Sequence, residues 1–372
     1  MIKYQMDAFI YQNMLTCIGN KRKLIPKIFE IVSDVKDNIL EKDKIVFCDG
    51  FAGSSVVSRG LSSICNKMYL NDMEYYAYLM AKCFMSKPND IQVEKIKLHI
   101  HNMNEIAENG PYIEGIICEN YAPKNTTDIK PNERCFYTRE NALIIDTLRQ
   151  YIEENVDEEL FPYCITPLLI KASINTNTSG VFKGFHKNKG IGCFGGKGKN
   201  ALSRILKNIV LECPIWSDEI IESECYNGNI NDIIKIVNND IDILYLDPPY
   251  NQHPYGSNYF MLNIIALNKI TDNISSISGI PKNWNKSDFN SRESAINAIN
   301  ELLEEGLKKA KYILLSYNNE GIIKLSDWDI IFKKYVVKKY EIKYDAYKGS
   351  RNLQNRNIKV IEIMYLISVL EE

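Results

Sequence analysis

The sequence predicts an α/β protein whose open, mostly parallel sheet ends in an antiparallel hairpin and is interrupted by an inserted, mainly helical domain. Three observations carry that expectation. Residues 45–85 alternate strand, helix, strand, helix, as parallel units with right-handed crossovers do. A further buried strand, DILYL at 242–246, comes only after more than 150 residues of different texture. Near the C-terminus, FKKYVVKKYEIKY and KVIEIMYLI alternate in the manner of paired antiparallel strands.

In chain order, IVFCDG (45–50) is an apolar run of strand length, and the small-residue turn FAGSS releases it into a helix over about 55–64. KMYL (67–70) forms the next strand, ending at Asn71 and Asp72, and a helical pattern runs from 74 to 85. Residues 86–219 hold helical segments and then the Gly-rich basic stretch SGVFKGFHKNKGIGCFGGKGKN (179–200). They are expected to form the insertion, so that 1–85 and 220–372 make one discontinuous domain. After DILYL a polar loop (271–290) precedes an amphipathic helix over 291–310, with Ser291 as its expected cap, and YILLS (312–316) follows as a strand.

Composition narrows the class. A chain of 372 residues suits about two domains, and 45% hydrophobic with 25% charged residues excludes a disordered or fibrous chain. The ten cysteines run from Cys17 to Cys225 without a CxxC pair, as expected of free thiols in a reducing compartment. The N-terminus lacks an apolar signal core and no window of about 18 apolar residues occurs, so a soluble, cytoplasmic protein without a membrane partner is expected. Formal net charge is −2, from 45 Lys and Arg against 47 Asp and Glu. That figure conceals segregation: 160–211 carries +8 with no acid, 331–359 carries +7, and the remainder therefore −17. Such a distribution can mark a polyanion footprint or simply two solvated faces.

The most informative tetrapeptide is Asp247-Pro248-Pro249-Tyr250, directly after DILYL. Two prolines force the chain out of the sheet in a stiff extended turn. A carboxylate, a carbonyl and an aromatic ring then stand at the C-terminal edge of the sheet, where open α/β folds bind ligands. At the end of the first strand, Asp49-Gly50-Phe51-Ala52-Gly53-Ser54-Ser55 is small enough for close backbone approach to a ligand. Asp72 lies 23 residues beyond Asp49, close to the spacing at which a carboxylate grips ribose hydroxyls. Without a full G-x-G-x-x-G, a nucleoside cofactor lacking a pyrophosphate fits better than a dinucleotide.

FCDGFAGSS, the acid in NDMEYY, YLDPPY, an N-terminal CIGNKRKL (17–24) and SYNNEG (316–321) together resemble the motifs of the Dam-like, DPPY-type adenine-N6 DNA methyltransferases in their alpha-type order. The resemblance implies a Rossmann-like class I S-adenosylmethionine-dependent methyltransferase fold, with the insertion as target-recognition domain. It implies that Gly19, Asn20, Lys21, Asp49, Phe51, Ala52, Gly53, Asp72, Asn229 and Asp247 hold S-adenosylmethionine (product S-adenosylhomocysteine), and that Asp247, Pro248 and Tyr250 are catalytic. Asn229 stands where relatives often have an acid, and Ser55 replaces a usual glycine. The expected activity is site-specific methylation of adenine N6 in double-stranded DNA by base flipping and direct transfer, as the modification half of a restriction-modification system. A cognate endonuclease would then act on the same site without stable binding.

The chemistry agrees. An exocyclic amine is a poor nucleophile until a carboxylate and a carbonyl accept both N–H bonds, and Asp247 with the Pro248 carbonyl can do so, while Tyr250 stacks on the flipped base. Expected DNA contacts are Lys183, Lys187, Lys189, Lys197 and Lys199 in the Gly-rich stretch and Lys348, Arg351, Arg356 and Lys359 near the C-terminus. Asn175, Asn177, Lys197 and Asn200 are the polar candidates for reading bases; Tyr255, Asn258 and Tyr259 either shape the base pocket or belong to the core. His99, His101, His186 and His253 lack cysteines at metal spacing, so no metal is expected. The alternatives are cytosine-N4 methylation, whose enzymes more often carry Ser in place of Asp247, or a non-catalytic nucleic-acid-binding protein of the same fold; RNA and protein-glutamine methylation fit less well.

Overall fold

A computed structural model describes residues 8–12, 15, 19–196, 198–199, 201–219, 221–270, 272–345 and 359–370, the side chains of 344, 345, 359 and 360 excepted. Among the described residues nine strands are seen: β1 (Ile45–Asp49), β2 (Cys65–Asp72), β3 (Lys187–Asn188), β4 (Ile191–Gly192), β5 (Glu222–Asn227), β6 (Ile241–Leu246), β7 (Ala310–Asn318), β8 (Tyr335–Asp345) and β9 (Lys359–Val369). Seven of them form one sheet in the order β5-β2-β1-β6-β7-β9-β8. The first four junctions are parallel and the last two, β7 with β9 and β9 with β8, are antiparallel. This is the Rossmann-like α/β methyltransferase fold, with the expected C-terminal hairpin.

The core explains which strands the sequence shows. All six residues of β6 are buried, because helices cover both faces of this central strand. Ile243 and Tyr245 face an apolar layer with the helices Ile25–Asp34, Val56–Leu61 and Tyr75–Met85, whereas Leu244 and Leu246 face the helix Arg292–Lys309. β5, sequence ESECYN, was not among the expected strands. It is the sheet edge, mostly half-buried and polar, so it lacks the apolar signal of the centre. β2 is longer than KMYL at both ends. Ser291 occupies the cap position of Arg292–Lys309, but its side chain makes no capping bond; Ser294 Oγ instead donates to the Asp288 carbonyl at 2.6 Å.

Between Met85 and β5 lie the helices Asp90–Asn109, Ile116–Tyr121, Arg139–Asn155, Phe161–Asn175 and Leu202–Leu206. Their apolar residues, among them Ile145, Leu148 and Leu168, share one buried cluster with Met80 and Phe84 of the helix Tyr75–Met85. Trp216 Nε1 donates to the Cys83 carbonyl at 2.8 Å, tying the segment's end to the same helix. Within it, β3 and β4 form a hairpin closed by Lys189 and Gly190, whose φ values of 48° and 86° match the two-residue turn that follows the twist of paired strands.

β1 has β2 on one side and β6 on the other, so the chain reverses direction across the sheet there. The carboxyl ends of β1, β2 and β6 bring Asp49, Asp72 and Asp247 to that switch point, the ligand position of open α/β sheets.

Candidate active site

The turn leaving β1 is shaped by backbone bonds before any side chain is considered. Gly50 N donates to the Tyr245 carbonyl at 3.0 Å and Ala52 N to the Asn71 carbonyl at 2.9 Å, clamping the turn between β6 and β2. Gly53, at φ 52°, donates its N–H to Asp72 Oδ2 at 2.8 Å, and a side chain here would be strained. Asp72 Oδ1 accepts from Glu74 N at 2.8 Å. Burial pushes the Asp72 carboxyl up to about 6 against these two bonds. Glu74 is buried deeper and pushed up to about 8, by burial first and then by the charge of Asp72; Asn263 and Asn285 donate to it.

Gly53, Asp72, Glu74 and Asn285 wall a cleft lined also by Gly19, Asn20, Lys21, Phe51, Ala52, Asn229, Asp247 and Pro249. Nine of the ten residues expected at a cofactor thus share one cavity. Asp49 does not line it: its carboxylate is buried behind the loop, accepts from Ser58 Oγ at 2.7 Å and is raised by burial to about 7. Asn229 is at the wall as the cap of helix Ile230–Ile236, its Oδ1 accepting from Asn231 N. Phe289 closes another side, edge-on to Phe51 at 5.4 Å between ring centres, and Asn285 ties its loop to the Met73 carbonyl at 3.1 Å.

At the opposite end stands Lys21, buried at 5% exposure, with Nζ 2.7 Å from Asp247 Oδ1 and 3.1 Å from Glu362 Oε1. Burial disfavours the ammonium, yet Asp247 and Glu362 hold its pKa well above the ordinary value. Burial raises Asp247 to about 6 although Lys21 opposes it. Removing Lys21 leaves two buried carboxylates without their counter-charge, at a cost of roughly 3–5 kcal/mol. Gly19, at φ 79°, passes so close that a Cβ would meet the Tyr255 hydroxyl at 2.9 Å; this tight passage delivers Lys21 to Asp247.

Pro248 is buried and Tyr250 half-buried beside the cleft rather than in its wall. The Tyr250 ring packs edge-on against Tyr317 at 6.2 Å and lies 5.6 Å from Lys21 Nζ, and its carbonyl accepts from Ile322 N at 3.0 Å. Tyr255 lines the cleft, whereas Asn258 and Tyr259 are core.

Of the expected DNA contacts, Lys183, Lys187, Lys189 and Lys199 are exposed. Phe182 N donates to the Asn258 carbonyl at 2.7 Å and Lys183 Nζ is 3.4 Å from His253 Nδ1, so the basic stretch abuts the segment that follows Tyr250. Lys197, Asn200, Lys348, Arg351 and Arg356 lie outside the described residues, as does the side chain of Lys359. Asn175 and Asn177 cannot read bases as expected, because both are buried and their amides are used inside the protein. Asn175 donates to the Lys207 carbonyl, and Asn177 bridges the Cys135 and Cys193 carbonyls at 2.8 and 2.9 Å. Sequence reasoning missed Glu74, Phe289 and Glu362; for Glu362 the available signal was an acid within an otherwise apolar strand. Among the described residues no group of three or more His, Cys, Asp or Glu is placed to hold a metal ion, and no helix is long and apolar enough to cross a membrane.

Known proteins resemble this chain in sequence. The sequence pattern of the D12 class N6 adenine-specific DNA methyltransferase family matches residues 18–328. The chain is 30% identical over 364 residues to type II methyltransferase M.NlaIII of Neisseria lactamica, covering 95% of this chain and 98% of that one. It is 27% identical over 330 residues to type II methyltransferase M.CviAII of Paramecium bursaria Chlorella virus 1, covering 87% and 89%. Against type II methyltransferase M.FokI of Planomicrobium okeanokoites it is 30% identical over 348 residues, covering 89% of this chain and 49% of the other. With the cleft, its acidic strand ends and the Asp-Pro-Pro-Tyr turn in place, the chain belongs to the D12 class of N6 adenine-specific DNA methyltransferases.

Proposed function

We propose that this enzyme methylates adenine N6 within a short double-stranded DNA sequence as the modification member of a restriction-modification pair, with S-adenosylmethionine held in the cleft between the β1 turn and Lys21. The observation that carries the assignment is the placement of Asp247, paired with the buried Lys21, at the rim of a cavity otherwise walled by the glycine turn and Asp72. Asp72 spends one lone pair of each oxygen on Gly53 and Glu74 and keeps the others for ribose hydroxyls. Phe51 and Phe289 supply apolar walls for the adenine end, and Lys21 and Asn20 stand at the amino-acid end.

When bound, S-adenosylmethionine supplies an electrophilic methyl group, whose bond to sulfur breaks, with the electron pair left on sulfur, as the bond to N6 forms. Asp247 Oδ1 is engaged by Lys21, so its other oxygen is assigned to one N–H of the adenine amine and the Pro248 carbonyl to the second. Both acceptors favour a pyramidal nitrogen and hold its lone pair in line, and Asp247 is placed to receive the proton that the methylated amine sheds. Tyr250 supplies the stacking face for a base rotated out of the duplex. Residues 86–219 are assigned to target recognition, with Lys183, Lys187, Lys189 and Lys199 gripping phosphates, and a cognate endonuclease would recognise the same sequence without stable association. The test is to incubate the protein with labelled S-adenosylmethionine and unmethylated plasmid, then digest to nucleosides. Label in N6-methyldeoxyadenosine is expected; label confined to N4-methyldeoxycytidine, RNA or protein would contradict the assignment.

A further inference from the structure

Glu362 belongs to none of the motifs, yet it is fully buried in β9, among Ile361, Ile363 and Met364. A carboxylate in such a strand costs several kcal/mol unless it is paired, and an apolar residue would serve the sheet better. Its Oε1 accepts from Ser316 Oγ on β7 at 2.6 Å and lies 3.1 Å from Lys21 Nζ, while the same Nζ is 2.7 Å from Asp247 Oδ1. The end of β6 and β9, distant in sequence, thus converge on one ammonium group beside the reacting position, and β7 holds the second of its partners through Ser316.

We propose, resting on the role of Asp247 given above, that Glu362 is a positioning residue for methyl transfer: with Ser316 it fixes the Lys21 ammonium so that Lys21 occupies one oxygen of Asp247 and leaves the other to the acceptor amine. Glu362 also sets the charge of the group. The titratable and charged side chains facing Asp247 and its partner Lys21 are Tyr245 from β6, Tyr250 from the turn, Glu362 from β9 and Asp49 from β1. Beyond the effect of burial, Lys21 lowers the Asp247 pKa and Glu362 raises it, so the proton acceptor is more basic with Glu362 present.

The experiment compares wild type with Glu362→Gln, which keeps the shape and removes the charge. The readouts are the single-turnover rate of label transfer from S-adenosylmethionine to plasmid DNA between pH 5 and 9, and S-adenosylhomocysteine binding by calorimetry. In Glu362→Gln the acidic limb of the rate profile is expected to move down by about one pH unit and the plateau rate to fall about tenfold, since a less basic carboxylate is a weaker acceptor. S-adenosylhomocysteine affinity stays within about threefold of wild type, and Glu362→Asp, which keeps the charge, returns the limb toward its wild-type position. An unmoved limb, a rate loss matched by an equal loss of S-adenosylhomocysteine affinity, or a Gln variant that does not fold overturns the proposal and assigns Glu362 to the sheet. If wild type itself places no label in adenine, the role of Asp247 fails, and this proposal with it; if wild type does so and the Gln variant behaves as wild type, only this proposal fails.

Discussion

Lys21 is the one basic side chain among the described residues that line the cleft, and the carboxylates around it outnumber it. Asp247 and Glu362 touch it directly, while Asp72 and Glu74 face each other at the far wall. Burial has raised the pKa of Asp72 to about 6 and of Glu74 to about 8, so the cofactor-free protein holds protons there that the unfolded chain releases near pH 4. The sign follows from linkage: a carboxyl group raised on folding costs stability progressively as pH climbs from its unfolded to its folded value. Glu74→Gln removes one such group. Its melting temperature is expected to gain on wild type steadily between pH 5 and 8, measured by calorimetry without cofactor; a constant difference across that range would show that Glu74 does not titrate there.

Elements with apolar interiors were readable from the sequence because burial on both faces leaves a continuous signature. IVFCD and DILYL fall within β1 and β6, and the alternation of β8 and β9 marks the hairpin at the sheet's far side. β5 carried no such mark, since an edge strand of ESECYN meets neighbours on one side only. The acidic strand ends and the Asp-Pro-Pro-Tyr turn were legible because their chemistry is local in sequence. Glu362 was not, because its partners at 21 and 316 are brought to it only by the sheet order. The β3–β4 hairpin was legible as a glycine-rich basic stretch but not as a hairpin, each strand being only two residues long. It displays Lys187 and Lys189 to solvent, with Lys183 beside the segment after Tyr250. Replacing all three by Ala should weaken plasmid binding and lower the slope of log affinity against log salt by about 2.7, near 0.9 for each phosphate no longer neutralised. An unchanged slope in fluorescence anisotropy would place DNA elsewhere on the molecule.

At the scale of the whole molecule, a formal charge of −2 describes neither of its working surfaces. The basic stretch at 160–211, at +8, stands against a remainder rich in acid, part of it drawn to the strand ends that wall the cleft. A cavity holding more carboxylate than ammonium suits a positively charged methyl donor, and exposed lysines such as Lys183, Lys187 and Lys189 suit a polyanion. At the cleft stands Asp247, which the fold sets at the end of β6, pairs with Lys21 and leaves open toward the cavity. The most direct measurement of that claim sets Asp247→Ala beside wild type, reading label transfer into N6-methyldeoxyadenosine and S-adenosylhomocysteine affinity on the same preparations. Transfer should be lost while affinity largely survives. Undiminished transfer, or a loss of affinity with the fold intact that accounts for the whole effect, would contradict the role assigned to Asp247.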